Sequence, residues 1–203
     1  APLTDKEIPK ESHETTNFTV MDSDGDTVVM TVTLNGNYGS HMVTDKFGIA
    51  LNNEMDDFTT SLTKPNMFGL MQGKANQVQA GKRPLSSMSP TIILKNKKTV
   101  LAMGASGGPR IITSVFQSWY RVIAQNYDID RAIQTPRVHH QFAPDKLYLD
   151  EFIFPADTKT NLIKMGHIVE NSWMGRVNGV YLNDNGILEG AFDSRVEGAA
   201  GGI

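Results

Sequence analysis

Apolar and polar residues alternate at the start of the first regular segment of the chain. Residues 17–21 and 27–34 are rich in Val and Thr, which favour β-strands. The polar stretch DSDGD lies between them and has the composition of a tight hairpin turn. These residues predict a β-hairpin, and the short apolar run at 48–51 predicts a further, buried strand.

The apolar spacing becomes helical in the middle of the chain. Two strand-like runs, 91–95 and 99–103, first predict a second hairpin, and a Gly-rich turn follows at 104–108. Apolar residues then recur every three or four positions, which predicts a helix over residues 110–125 that begins after Pro109.

Shorter elements complete the pattern. The sequence predicts a helix over 128–134, a strand over 146–149, a helix over 155–165, and a last hairpin over 179–182 and 186–191. Because strands are followed by helices and then by strands again, we expect a layered α+β domain rather than a βαβ wind.

Two stretches show little regular pattern. Residues 1–14 are polar and contain two prolines, which predicts a flexible or extended lead-in. Residues 56–83 are polar and rich in Gly and Pro. An irregular stretch of this length inside a domain is more typical of a functional loop than of a linker.

Composition narrows the class of protein. The chain has 203 residues, 39% of them hydrophobic and 20% charged, which fits a soluble domain. A net charge of −3 does not favour nucleic acid or an anionic membrane as a partner. The absence of cysteine excludes disulfides, zinc–thiolate sites and a cysteine nucleophile. We expect no membrane span, and the polar start is unlike a secretory signal, so a signal for export would not lie on this chain.

A hydroxyl residue at the start of the first predicted strand is a candidate nucleophile. In the stretch TTNFTV, Thr15 alone is consistent with a plain strand start. A threonine hydroxyl becomes reactive only when a base lies beside it. Cleavage of the Glu14–Thr15 bond would free the α-amino group of Thr15 to serve as that base.

Two further segments have the chemistry to bind an amino-acid head group. The stretch NNEMDD at 52–57 is either a solvated acidic turn or a cradle for an ammonium group. Ser86 and Ser87 lie in RPLSSMSP, where the prolines stiffen the backbone. This segment is either an ordinary Ser-rich turn or a site for a carboxylate.

The Gly-rich turn is a candidate anion site. Gly107 and Gly108 precede the predicted helix, so their N–H groups could point at an anion, although a plain turn fits equally well. The turn lacks the lysine of a phosphate loop, and DSDGD lacks the spacing of an EF-hand. His139 and His140 have no third ligand at a helpful spacing, so we expect structural or surface roles for them.

The order and spacing of these segments, taken together, are specific. From Thr15 to the C-terminus the chain resembles the γ-glutamyltransferase family, through TTNFTV, TVTLN, GIALNNEMDDF, KRPLSSMSPTI, GASGGPRIIT, PRVHHQ and the closing DSR-EG-A-G. The resemblance implies the αββα sandwich of N-terminal-nucleophile hydrolases, of which this chain supplies a part. It also implies that residues 1–14 end a large subunit or pro-segment and that residues 15–203 form the catalytic small subunit.

The resemblance implies a role for each candidate residue. Thr15 would be the nucleophile and, through its freed amine, the base. The residues implied to assist it or to bind substrate are Thr33 beside the nucleophile, Asn35 on the substrate, Glu54 and Asp57 on its α-amino group, Ser86 and Ser87 on its α-carboxylate, and Gly107 and Gly108 as oxyanion amides. Phe68 matches an aromatic gate in a lid loop over 59–83, which favours a small substrate such as glutathione.

The implied activity is hydrolysis or transfer of the γ-glutamyl group of glutathione and related amides, without a metal or organic cofactor. The implied partners are the large subunit of the same precursor, which supplies a substrate-binding arginine, and an amino-acid or dipeptide acceptor. The implied location is periplasmic or secreted. One departure is Asn17, where the family usually has histidine.

Two alternatives remain open at this point. One is an acylase that removes a glutaryl-type group from a β-lactam side chain with the same nucleophile. A glutaryl group lacks the α-amine that Glu54 and Asp57 would bind, which argues against it. The other is an uncleaved homologue without catalytic activity.

Overall fold

A computed structural model of the chain describes residues 15–151 and 154–202, so the predicted lead-in over residues 1–14 lies outside the described residues. In chain order the elements are β1 (Thr16–Met21), β2 (Thr27–Val32), β3 (Thr91–Lys95), β4 (Lys98–Ser106), α1 (Arg110–Gln125), α2 (Ile129–Gln134), β5 (Val138–His139), β6 (Leu147–Asp150), α3 (Ala156–Lys164), β7 (Val169–Ser172), β8 (Arg176–Leu182) and β9 (Leu188–Phe192). Short 3₁₀ turns occur at Glu54–Asp57 and Lys74–Asn76.

The central element is an antiparallel sheet with the strand order β3-β4-β8-β9. Side chains alternate across a strand, so the two faces of this sheet have different neighbours. Leu101, Met103 and Val177 face α1 and α2 and form the hydrophobic core with them. The opposite face, which includes Gly104 and Asn178, is covered by the β1–β2 hairpin.

These contacts give three layers in the order helices, sheet, sheet. The second sheet contains only β1 and β2 among the described residues, and no helical layer within residues 15–151 and 154–202 covers its outer face. This arrangement corresponds to part of the predicted αββα sandwich.

A third sheet corrects the predicted layer pattern. Its order is β5-β6-β7, and β6 pairs with β7 in parallel. Because α3 lies between β6 and β7 in the chain, these elements form a βαβ unit, which we did not predict. The strand β7 reads VENS and has no apolar alternation, so its sequence gave no strand signal.

The predicted buried strand at 48–51 was also wrong. Ile49 and Leu51 are 56% and 39% exposed, and the segment makes only an isolated bridge from Ala50 to Val43. The chain folds back on itself here, with the N–H of Leu51 donating to Met42 O at 2.9 Å. An apolar run this short becomes a buried strand only if it pairs with a sheet, and this run pairs with none of the three sheets among the described residues.

The other predicted elements are present with small shifts at their ends. The helix over 110–125 has the predicted bounds, and all three predicted hairpins form. Strand β4 continues to Ser106, so the Gly-rich turn is confined to Gly107 and Gly108. This extension places the two glycines directly between a buried strand end and a helix start.

A buried network of charges fixes the segment that follows β9. The guanidinium of Arg137 pairs with Asp193 at 2.6 Å, and that of Arg195 pairs with Asp150 at 2.6 Å and with Asp193 at 2.8 Å. Burial works against the charge of Asp193, but Arg137 and Arg195 together hold its pKa below the ordinary value. The network joins the beginning of β5 and the end of β6 to the C-terminal segment.

We expect Asp193→Asn to destabilise the protein strongly. The substitution leaves Arg137, which is fully buried, without its carboxylate partner, and breaking a buried pair in this way costs about 3–5 kcal/mol. Urea unfolding of the purified protein measures the loss. Asp184→Asn is the matched control, since Asp184 pairs with Lys95 on the surface with 90% of its side chain exposed. Equal midpoints for the two variants would contradict the expectation.

Candidate active site

Thr15 lies at the open end of the β1–β2 hairpin. Since Thr16 pairs with Val32, the preceding Thr15 faces the residue after β2, which is Thr33. The two hydroxyl oxygens are 2.8 Å apart, and Thr33 Oγ1 also accepts the N–H of Asn35 at 2.9 Å. The hydroxyl of Thr15 therefore contacts that of Thr33, the residue that follows the paired strand.

The acidic segment forms a 3₁₀ turn that is joined to the end of the hairpin. Asn35 is buried and donates its side-chain amide to Asp57 Oδ1 at 3.3 Å and to Asn53 O at 3.4 Å. Asn35 adopts a left-handed backbone with φ of 73°, which asparagine tolerates better than most residues. These bonds bring Asp57 to the same end of the hairpin as Thr15.

The two predicted ammonium ligands have raised pKa values. Burial, together with the neighbouring charge of Glu54, raises the pKa of Asp57 to about 6. Burial also raises the pKa of Glu54. Like charges at a partly desolvated place disfavour ionisation, whereas a cation between them would reverse the shift. The pair is thus electrostatically suited to bind a cationic group.

Phe68, the predicted gate, packs on the glycine turn. A Cβ atom added to Gly108 would lie 3.2 Å from the Phe68 ring. The loop around Phe68 is anchored on two sides: Met67 N–H donates to Asp56 Oδ2 at 2.8 Å, and Gln141 Nε2 donates to Phe68 O at 3.1 Å. The sequence did not predict either anchor. Asp56 in particular could not be distinguished from the other residues of an acidic turn.

The Gln141 anchor continues into the domain through His139. His139 Nε2 lies 2.9 Å from Gln141 Oε1, and its Nδ1 lies 2.9 Å from Thr113 Oγ1 on α1. Burial lowers the pKa of His139 to about 4, so the ring is neutral at pH 7. His139 is a structural residue that links α1 to the loop.

The glycine turn presents backbone amides at the start of α1. Gly107 and Gly108 have φ values of 134° and 52°, which glycine adopts without the strain that a side chain would cause. Their carbonyl oxygens accept the N–H groups of Arg110 and Ile111, each at 3.1 Å. Because the Gly107 carbonyl points into the helix, the N–H of Gly108, which belongs to the same trans peptide unit, points the opposite way.

A small cavity brings the predicted residues together. Its volume is about 20 Å³, and it is lined by Thr15, Thr33, Asn35, Glu54, Asp57, Phe68, Ser86, Ser87, Met88, Gly108 and Ile111. The lining includes every predicted site residue except Gly107, which is buried immediately behind Gly108. Met88 and Ile111 are lining residues that the sequence did not indicate.

A second, larger cavity of about 610 Å³ also reaches Thr15. Its lining comes from Thr15, β1, β8, β9 and residues 196–201 of the tail, together with Ser106 and Asp193. Apart from Thr15, it contains none of the predicted site residues. The head-group chemistry therefore belongs to the small cavity, and Thr15 lies between the two.

Asn17, the predicted departure from the family pattern, does not line the small cavity. Its side-chain amide donates to Thr31 Oγ1 at 2.8 Å and to Met30 O at 3.0 Å, and it packs closely on Gly104. Asn17 thus joins the hairpin to the central sheet behind Thr15.

Residues 15–151 and 154–202 contain no group of three His, Asp or Glu side chains that could hold a metal ion. Within those residues, no helix combines the length and apolarity needed to cross a bilayer.

The layers and the threonine at the strand start define an N-terminal-nucleophile hydrolase fold. The sequence pattern described as Gamma-glutamyltranspeptidase matches residues 3–203. The chain belongs to the γ-glutamyltranspeptidase family.

Individual relatives agree with this assignment. The glutathione hydrolase proenzyme of Escherichia coli is 42% identical over 190 residues, which are 94% of this chain and 33% of that protein. The crystal structure of a mutant γ-glutamyltranspeptidase of Helicobacter pylori superposes with a TM-score of 0.85 at 45% identity, covering 89% of this chain and all of that one. A cephalosporin acylase of Bacillus halodurans, at 21% identity and a TM-score of 0.68, shares the fold alone. The chain thus spans about a third of the length of the E. coli relative.

Proposed function

We propose that this chain is the catalytic small subunit, residues 15–203, of a γ-glutamyl hydrolase and transpeptidase. The convergence of Thr15, the acidic pair, the serine pair and Gly108 on one small cavity carries the proposal. A γ-glutamyl group presents an ammonium, a carboxylate and an acyl carbon, and the cavity has a matching group for each. Glutathione is a substrate of this class.

The head group is held by opposite charges and by hydroxyl groups. Glu54 and Asp57 bind the α-ammonium, and its positive charge offsets their mutual repulsion. Ser86 and Ser87, which line the same cavity, donate to the α-carboxylate. Asn35 fixes Asp57 and closes the floor of the site. Phe68 covers the site, which limits the substrate to a small molecule.

The chemistry is acyl transfer through Thr15. The Thr15 oxygen attacks the γ-carbonyl carbon, and the hydroxyl proton passes to the free α-amine of Thr15. Gly107 and Gly108 amides stabilise the oxyanion, at about 3 kcal/mol per donor. The C–N bond breaks, the leaving amine takes the proton, and a γ-glutamyl ester remains on Thr15. Water or the amine of an acceptor amino acid or dipeptide then releases it. None of these steps uses a metal or an organic cofactor.

The free amine requires that the Glu14–Thr15 bond be cut, which the precursor does itself. Residues 1–14 are then the end of the preceding large subunit or pro-segment. Relatives named proenzymes support a precursor of this kind. Bacterial members of the family act in the periplasm or outside the cell, and we assign this protein to the same location.

The outer face of the β1–β2 hairpin supports a large-subunit partner. Polar residues such as Asn17 and Thr19 point inward, while the outward row is apolar and 43–57% exposed: Phe18, Val20, Val28, Met30 and Val32. This pattern is the reverse of a hairpin whose outer face meets water. A large subunit that adds the fourth layer of the sandwich would cover the row.

The proposal is tested on the full precursor purified from an export-competent host. We expect a mature chain that begins at Thr15 by mass, and release of aniline from a γ-glutamyl anilide far faster than from the glutaryl anilide. Preference for the glutaryl anilide would support the β-lactam acylase alternative. A chain that keeps residues 1–14 and releases neither product would support the non-catalytic alternative.

The raised carboxylate pKa predicts a pH dependence of substrate binding. Below about pH 6 Asp57 is protonated and no longer attracts the ammonium, so the KM for the γ-glutamyl anilide should rise about tenfold per pH unit. Steady-state kinetics between pH 4.5 and 8 give KM and kcat separately. The glutaryl anilide is the control, since it lacks the ammonium. A KM for the γ-glutamyl anilide that is constant down to pH 4.5 would contradict the role of Asp57.

A further inference from the structure

The backbone turn at Gly107 rests on a segment from the other end of the chain. A Cβ atom added to Gly107 would lie 2.7 Å from Gly175 Cα and 3.2 Å from the ring of Trp173. Gly107 is also in a region of φ that side chains avoid, at 134°. The conformation of the turn therefore depends on its contact with residues Trp173 to Gly175. We call these three residues the 173–175 support.

The contact is equally close from the other side. A Cβ atom added to Gly175 would lie 2.9 Å from Ser114 Oγ, and 3.1 Å from both Arg110 O and Ser106 O. Ser106 and Arg110 bracket the glycine pair in sequence. A methyl group at Gly175 would therefore push on the backbone at both ends of the turn that holds Gly107 and Gly108.

Two buried guanidinium groups hold the 173–175 support in place. Arg110 Nε donates to Trp173 O at 3.0 Å, and Arg110 also stacks over the Trp173 ring with its guanidinium carbon 5.1 Å from the centroid. Arg137 Nη2 donates to Gly175 O at 2.8 Å. Cationic donors of this kind form strong, short hydrogen bonds, so the support is rigid.

A rigid support matters for the proposed chemistry because oxyanion donors act through preorganisation. The close packing of Gly107 on Trp173 and Gly175 restricts the backbone of the glycine turn, and with it the directions of its amide groups. A shift of about 1 Å in a reacting geometry can cost about 100-fold in rate.

We propose that Trp173 and Gly175 are positioning residues that set the direction of the Gly107 and Gly108 amides. The inference rests on the proposed acyl-transfer function. Neither residue lines the small cavity, so the effect on the reaction passes through the glycine turn. Binding of the ground-state head group should then be unaffected, whereas stabilisation of the tetrahedral oxyanion should be weakened.

The test uses the full precursor with Gly175→Ala and, separately, Trp173→Leu. Activity on the γ-glutamyl anilide is expressed per chain cut before Thr15, as counted by mass. We expect kcat to fall about 10- to 100-fold while KM changes less than about threefold. Affinity for a boronic-acid analogue that forms a tetrahedral adduct on Thr15 should fall in parallel with kcat, and affinity for glutamate should not.

Gly179→Ala is the matched control. Gly179 lies on β8, and an added Cβ would lie 2.8 Å from Ala102 O, so this variant suffers a similar clash away from the glycine turn. It should lose thermal stability but keep its kcat per cut chain. If neither Gly175→Ala nor Trp173→Leu is cut before Thr15, the milder variant Trp173→Phe, which retains an aromatic ring, should still lower kcat and boronate affinity together.

Each result separates the two proposals. An unmodified protein that releases no aniline would refute the proposed function itself. An active unmodified protein, with Gly175→Ala or Trp173→Leu within twofold of its kcat, would overturn only the positioning role. Losses of kcat matched by those of Gly179→Ala would show that general destabilisation explains the effect and would also overturn it.

Discussion

Thr15→Ala in the full precursor is expected to abolish both self-cleavage and turnover. The substitution removes the hydroxyl oxygen proposed as the nucleophile, and the Thr15–Thr33 hydroxyl contact of 2.8 Å is lost with it. Removal of a nucleophile from a covalent mechanism lowers kcat by about 10⁴-fold or more. The expected product is an uncut chain on a denaturing gel, with γ-glutamyl anilide release at the background rate.

The neighbouring residue gives a matched control for that experiment. Thr16 is exposed at the start of β1 and lies outside the small cavity, so Thr16→Ala should be cut and should keep most of its activity. Thr15→Ser retains an oxygen at the same place and should recover cleavage in part. Full turnover by Thr15→Ala would refute the assignment of the nucleophile, whatever the state of the chain.

Asp57→Asn is expected to raise the KM for the γ-glutamyl anilide about 30- to 150-fold, with a smaller effect on kcat. This range corresponds to about 2–3 kcal/mol for a charge-assisted hydrogen bond to the substrate ammonium. The amide of asparagine keeps the shape of the side chain and its contact with Asn35, so the loss measures charge. The KM for the glutaryl anilide, which lacks the ammonium, should change little and serves as the control.

The same substitution should not destabilise the protein. The pKa of Asp57 is raised in the folded state to about 6, above its ordinary value. The unfolded chain therefore loses this proton at lower pH than the folded protein does, and folding stability falls as pH rises from about 4 to about 6. At pH 7 the ionised carboxylate costs stability, so Asp57→Asn should melt at the same temperature or higher. Loss of folding would point to a structural role for Asp57 instead.

Elements with a strong local signal were predictable from the sequence. The helix α1 repeats apolar residues over sixteen positions, and its bounds are as predicted. The strand β7 could not be predicted, because its polar residues VENS become a strand only through parallel pairing with β6. The prediction of a strand at 48–51 was wrong for the opposite reason: these residues favour strands, but they pair with none of the sheets among the described residues.

The candidate site also has parts that the sequence could predict and parts that it could not. The residues that line the small cavity stand in motifs that could be read along the chain, from TTNFTV to the glycine turn. The residues that hold the lining residues in place could not be predicted from motifs along the chain. Asp56 anchors Met67, Gln141 anchors Phe68, and Gly175 supports Gly107, and each contact joins segments that are distant in sequence, up to 73 residues apart for Gln141 and Phe68. Such contacts depend on the tertiary fold.

The position of Thr15 just ahead of β1 has a consequence for maturation. Every residue from Thr16 to Met21 pairs with a residue of β2, so the scissile bond lies outside the ladder. If that bond is cut as proposed, the pairing of Thr16 to Met21 with β2 is kept, and it holds the new terminus in place.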